Sequence, residues 1–203
     1  MCCRYYMELS PELRPIVEEM NRSPLVRRFQ ETTAVLSSGE IRPTNVAPVI
    51  ASNRKGERAV FPMKWGFAVP GRPLVINARM ETAGERPMFR EAWKAHRCIV
   101  PASWYYEWEH LIRNDGKKET GDKYLIQPGG AGTAWMCGLY RIENGLPAFV
   151  ILTREAEPEI RFIHDRMPLM LPEERIGAWI SPEADAGETA AFAQRQMVFE
   201  KAG

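Results

Sequence analysis

Thr133-Ala134-Trp135-Met136-Cys137-Gly138-Leu139-Tyr140-Arg141-Ile142, then Glu143-Asn144-Gly145, then Leu146-Pro147-Ala148-Phe149-Val150-Ile151-Leu152-Thr153 is the stretch that decides the fold. Two apolar runs flank an Asn-Gly pair. Asn and Gly tolerate the positive φ angles of a tight hairpin turn, so the stretch reads as two antiparallel strands. Working outward, Trp104–Glu109 and Lys123–Gln127 read as the arms of another hairpin, joined by a polar loop containing Asn114-Asp115-Gly116. Cys98–Pro101 reads as a buried strand. Ala59–Val69 reads as a long strand ending at Pro70-Gly71, with a short one at Leu74–Ala78. Thr44-Asn45-Val46-Ala47-Pro48 leads into a strand at Val49–Ala51, and Leu36–Pro43 reads as loop.

Helices are expected at the periphery. Ser10-Pro11 offers an N-cap and a first helical residue, and Leu13, Ile16, Val17 and Met20 follow at helical spacing. Pro15 lacks an N–H, so that helix is expected to kink or to start late. Met88–His96, Pro158–Phe162, Pro172–Ile180 and Gly187–Met197 read as further helices. The fold class is therefore α+β: a single domain over residues 1–203, mainly antiparallel β-sheet and barrel-like, with peripheral helices.

Composition narrows the class. At 203 residues the chain can bury one sizeable core. No segment approaches the ~18 apolar residues of a membrane helix, and no signal-peptide layout opens the chain, so a cytoplasmic protein without a membrane partner is expected. Four cysteines (Cys2, Cys3, Cys98, Cys137) do not form a disulfide framework in a chain this long. With three histidines, no CxxC and no HExxH, neither a metal nor any other cofactor is expected. Net charge is +1, which argues against strong unspecific nucleic-acid binding. Residues 1–123 nevertheless hold 20 Lys/Arg against 15 Asp/Glu, a modest basic bias toward the first part of the chain.

Four polar placements interrupt the core pattern. Asn77 follows an apolar run and is either a strand-end turn residue or a group that positions a substrate or an amine. In Trp104-Tyr105-Tyr106-Glu107-Trp108-Glu109, period two puts Tyr105, Glu107 and Glu109 on one face. Glu107 is then either solvated or desolvated among aromatics, where its pKa would rise toward that of a general acid or base. His164, between Phe162-Ile163 and Asp165-Arg166-Met167-Pro168, is either structural or a proton shuttle. Arg4 and Arg79 suit phosphate contacts or plain solvation. Trp65 and Trp108 suit base stacking or core packing.

Met1-Cys2 reads either as an ordinary start of the chain or as the source of an N-terminal nucleophile. Loss of Met1 would leave Cys2 with a thiol and a free α-amine on adjacent carbons. The amine titrates near ~8 and the thiol near ~8.5. An amine attacks an aldehyde to give a Schiff base, and a neighbouring thiol can close a thiazolidine ring on it. The same pair also suits acyl transfer.

In order along the chain stand Met1-Cys2 with Arg4, Asn45-Val46-Ala47-Pro48, Trp65-Gly66, Ile76-Asn77-Ala78-Arg79 with Glu81-Thr82, Phe89, Trp104 with Glu107-Trp108, and Ile163-His164-Asp165-Arg166 with Pro168. Together they resemble the SRAP family of SOS response-associated peptidase proteins, which act as abasic-site shields. The resemblance implies a groove for single-stranded DNA and capture of an abasic-site aldehyde by Cys2 as a covalent thiazolidine crosslink. It implies that Asn77, Glu107 and His164 surround Cys2 and that Arg4 and Arg79 hold phosphates. Trp65, Trp108, Asn45 and Pro48 are expected along the same DNA-binding surface. Self-removal of Met1 and lyase-type strand cleavage through the Schiff base are further expectations, as is a monomer.

The chain departs from the family pattern in three places. It has Cys3 where Gly is common, no aromatic after Phe67 in the loop to Leu74, and no clear terminal strand in Met197–Gly203. Two other functions share the same residues: a cysteine peptidase or N-terminal-nucleophile hydrolase using Cys2 and His164, and a non-covalent single-stranded DNA-binding module.

Overall fold

A computed structural model describes residues 2–31, 33–112, 115–130 and 132–202. Met1, and Asn114 of the expected polar loop, lie outside the described residues. In chain order the elements are β1 (Arg4–Met7), α1 (Arg14–Asn21), α2 (Leu25–Gln30), β2 (Gly39–Ile41), β3 (Val46–Ser52), β4 (Arg58–Trp65) and β5 (Asn77–Arg79). Then come α3 (Met80–Ala83), α4 (Arg90–Ala95), β6 (Arg97–Ala102), β7 (Trp104–Ile112), β8 (Lys118–Pro128), β9 (Ala134–Glu143) and β10 (Leu146–Glu155). Last are β11 (Arg166–Pro168), α5 (Ile176–Ile180), α6 (Ala186–Ala190) and β12 (Met197–Lys201), with 3-10 turns at Pro158–Ile160 and Glu173–Arg175.

The Asn-Gly hairpin forms as its sequence predicts. Asn144 and Gly145 take φ of 50° and 77°, and β9 pairs antiparallel with β10 from Leu146↔Glu143 to Ile151↔Gly138. This hairpin closes a barrel. β10, β4, β3, β6 and β9 follow one another as neighbours, and β9 returns to β10. All these pairings are antiparallel except β4 with β10, which is parallel. β5 continues along the β10 edge that β4 leaves, with Asn77 opposite Ile151.

Gly66 makes the handover from β4 to β5. It sits at φ 111°, its N–H bonds the Phe149 carbonyl at 2.7 Å, and a Cβ there would overlap the Leu74 side chain. A second, antiparallel sheet runs β12-β8-β7-β1-β2. The fold is α+β, a closed and mainly antiparallel barrel with a flanking sheet and peripheral helices.

Several local expectations change. The first helix starts late, at Arg14, because Pro15 fits only in its first turn. Ser10 still caps the preceding turn, its hydroxyl accepting the Leu13 N–H at 3.3 Å. The Leu36–Pro43 loop contains β2, an edge strand too short to show alternation. β3 starts at Val46 rather than Val49, and β4 ends at Trp65 rather than Val69. The last helix stops at Ala190, and Met197–Lys201 form a strand against β8 with Phe199 opposite Ile126. The terminal strand is thus present.

The core is lined by Trp65, Phe149, Tyr5 and Tyr105. Arg97 is buried beside it, and its guanidinium donates to the carbonyls of Trp179, Trp93, Lys94, Ser181 and Ala184. Five acceptors satisfy a buried fork that would otherwise cost the fold heavily. Among the described residues no helix is long and apolar enough to cross a membrane.

Candidate active site

β1 lies between β2 and β7, with Tyr5 opposite Tyr105 and Arg4 opposite Tyr106. Paired antiparallel residues point to the same face of a sheet. Tyr5 and Tyr105 therefore face the core together, and Glu107, two residues on, shares their face. Arg4, Tyr106 and Trp108 occupy the opposite face. Cys2 precedes β1 and is fully buried, its thiol donating to the Arg4 carbonyl at 3.6 Å.

Asn77 reaches Cys2 from the barrel. Its Nδ2 donates to the Cys2 carbonyl at 2.8 Å, while its Oδ1 has no hydrogen-bond partner among the described residues. Glu107 is 3% exposed, and its Oε1 accepts the Trp108 N–H at 3.2 Å. His164 is 8% exposed, and its Nδ1 accepts the Arg166 N–H at 2.9 Å. Side-chain ligating atoms of Glu107, His164 and His110 all lie within 4.8 Å of one another. The structure thus brings Cys2, Asn77, Glu107 and His164 together from the segment before β1, from β5, from β7 and from the turn before β11.

Burial sets the protonation of this cluster. It raises the Cys2 thiol well above its ordinary pKa, and the Glu107 and Cys3 charges push it further the same way. Burial also raises the Glu107 carboxyl. Burial lowers His164 to about 4, with the neighbouring His110 contributing. His164 is therefore a neutral imidazole near pH 7, in keeping with an Nδ1 that accepts a hydrogen bond. Cys3 is half-buried, and burial raises its thiol too.

The second ring of partners is polar. Arg166 makes a two-pronged ion pair with Glu81, 2.7 Å at each prong, and donates to the Thr153 carbonyl at 2.6 Å. This clamp fixes the segment that carries His164 against the end of β10 and the first turn of α3.

The expected DNA-contacting residues divide. Arg79 is exposed at the end of β5, two residues from Asn77. The Arg4 guanidinium lies 5.1 Å from the Trp108 ring and pairs with Glu40 at 3.2 Å. Lys123 sits 3.8 Å over Tyr106 and 5.6 Å from Trp108. Lys123 lacked any functional signal in the sequence. Asn45 is partly exposed, and its Oδ1 accepts the Arg42 N–H at 2.8 Å in the turn before β3.

Trp65 and Pro48 need correction. Trp65 is fully buried in the barrel, 5.2 Å from Tyr5 and 6.1 Å from Phe149 between ring centroids, with its Nε1 donating to the Ile76 carbonyl. Pro48 is buried in β3 opposite Pro62. Both are buried, so neither offers a face to a nucleobase.

His110 is the residue that sequence reasoning missed. The pairing of β7 with β8 shifts register between Trp108 and His110. Beyond the shift, the His110 N–H bonds the Ile163 carbonyl at 3.1 Å, which sets its ring 4.3 Å from that of His164. Glu107, His110 and His164 are the described residues that could hold a metal ion.

The model of one protein family, described as SOS response associated peptidase (SRAP), matches residues 1–201. The chain is 30% identical to the Abasic site processing protein YoqW of Bacillus subtilis (strain 168) over 199 residues, covering 90% of this chain and 81% of that protein. It is 33% identical to the Abasic site processing protein YedK of Escherichia coli (strain K12) over 163 residues, 73% of this chain and 69% of that one. A crystal structure of a protein from Bacteroides thetaiotaomicron superposes with a TM-score of 0.74 at 22% identity, covering 100% of this chain and 92% of that one. At that identity the likeness concerns the fold.

Proposed function

Because the chain belongs to the SOS response associated peptidase family, we propose that it processes abasic sites in single-stranded DNA by covalent capture through Cys2. The observation that carries this reading is the Cys2 environment: a buried thiol with Asn77 on its carbonyl and Glu107 close enough to raise its pKa. Two relatives named as abasic site processing proteins support it.

With Met1 removed, the Cys2 amine attacks C1′ of the ring-opened sugar. The carbinolamine loses water to give an imine. The Cys2 sulfur then adds to the imine carbon, its proton passes to the nitrogen, and the thiazolidine closes. One water leaves in total. Glu107, held toward its protonated form by burial, donates to the departing hydroxyl. His164, neutral near pH 7, takes or returns a proton at the sugar ring oxygen. Asn77 holds the Cys2 carbonyl so that amine and thiol present together. Arg79 and Arg4 contact phosphates, and Trp108 stacks a base.

A cysteine peptidase would need Cys2 as a thiolate activated by a cationic partner. Here burial holds the thiol protonated, which favours aldehyde capture over acyl transfer. Lyase-type cleavage would arise only from the imine before ring closure. The test is a denaturing gel with a single-stranded oligonucleotide carrying one abasic site, an undamaged control and Cys2→Ala. A heat- and SDS-resistant band is expected only for the wild type with abasic DNA. Its absence in protein whose intact mass shows Met1 removed would sink the reading.

A further inference from the structure

Two imidazoles and a carboxylate converge beside Cys2, and proton transfer as proposed above uses only one of the imidazoles. We propose that Glu107, His110 and His164 form a binding site for a divalent transition-metal ion, with zinc as the fitting occupant, and that the bound metal shuts off capture at Cys2. Two imidazole nitrogens and a carboxylate oxygen are a donor set that zinc takes at open sites, with another position left for water or substrate. The two imidazole nitrogens favour zinc over magnesium or calcium, which prefer oxygen donors alone.

The geometry needs modest closure. Zinc–ligand bonds of ~2.0–2.2 Å put tetrahedral ligands about 3.3 Å apart. The three atoms here lie within 4.8 Å of one another. His110 supplies the movement, since it is exposed and follows the register shift, whereas Glu107 and His164 are buried.

His164 presents Nε2, because Nδ1 faces the Arg166 amide and Asp165. Ligation through Nε2 moves the ring proton to Nδ1. Asp165 Oδ1, 2.8 Å away, is placed to accept it, as carboxylates commonly do behind a metal-bound histidine. The Arg166 amide gives up its acceptor in exchange. The bound ion occupies both groups that capture relies on, Glu107 and His164, so the metal and the abasic sugar exclude each other.

The experiment uses full-length protein stripped with a chelator and titrated with Zn²⁺ against a fluorescent zinc indicator. One Zn²⁺ per chain is expected. His110→Ala and His110→Gln should each weaken binding at least about a hundredfold, beyond the tenfold to hundredfold expected of an outer partner such as Asp165→Ala. Cys3→Ala should bind as the wild type does. Wild-type affinity in both His110 variants, with melting curves showing them folded, overturns the site. So does loss of binding in Cys3→Ala with His110→Ala unaffected, which would assign the metal to the thiols.

This binding readout is independent of the abasic-site reading. The inhibitory half rests on that reading, and is measured as the ratio of crosslinking with and without saturating Zn²⁺. A wild-type ratio that falls at least about tenfold, recovers with chelator and stays near one in His110→Ala upholds it. A ratio near one in zinc-loaded wild type refutes inhibition while leaving the metal site standing.

Discussion

Asn77→Ala tests whether Cys2 is held for its chemistry or merely parked. The Asn77 backbone is kept by parallel pairing of β5 with β10, opposite Ile151, so truncating the side chain leaves the strand in place. What is lost is one neutral hydrogen bond, Nδ2 to the Cys2 carbonyl at 2.8 Å. A bond of this kind contributes about 0.5–1.5 kcal/mol net to stability. In a chain of this size each kcal/mol shifts Tm by roughly 2–4 °C, so a fall of at most about 6 °C is expected.

The kinetic effect should be larger than that. Cys2 precedes β1, so no strand pairing holds it, and Asn77 is the side chain that bonds its carbonyl. Losing about 1.4 kcal/mol of positioning slows capture about tenfold, and a misplacement near 1 Å takes it toward a hundredfold. The assay is the single-turnover rate of crosslinked-band formation on an abasic oligonucleotide, beside a thermal melt. The expected result is a rate down about 10- to 100-fold with the melt within about 6 °C. A rate within twofold of wild type would refute the positioning role, and a rate loss accompanied by a collapsed melt would show the role to be structural.

Arg79→Ala should weaken binding to undamaged single-stranded DNA and lower the salt slope by about 0.7 for the lost phosphate contact, read from affinity measured across a salt series. An unchanged slope would remove Arg79 from the DNA path. Arg97→Met should cost about 3–5 kcal/mol, since five carbonyls lose a buried donor set, and the urea midpoint reports it. A loss below about 1 kcal/mol would mean that the α5–α6 segment finds other partners.

The residues of this site were individually legible, but their meeting was not. Glu107 read as either solvated or desolvated, and only the pairing of β7 with β1 and β8 decides for burial. Trp65 shows why an aromatic beside a functional motif is ambiguous. Its position in sequence suits stacking, while its 0% exposure comes from a barrel closed by β10, over eighty residues away.

By itself, the sequence determined what depends on neighbours along the chain. The Asn144-Gly145 hairpin needs only positive φ at two residues that accept it, the late start of α1 needs only the missing N–H of Pro15, and the alternation in β7 needs only the period of a strand. The amine–thiol chemistry of an N-terminal Cys2 is likewise local. Tertiary structure alone decided the rest: the parallel β4–β10 pairing that closes the barrel, the edge strands β2 and β12, the burial of Trp65 and Pro48, and the arrival of His110 beside His164. Those features rest on contacts between segments far apart in the chain. Short edge strands carry too few residues for a period, and a histidine drawn into a site by one backbone bond to a distant carbonyl leaves no pattern in its own neighbourhood.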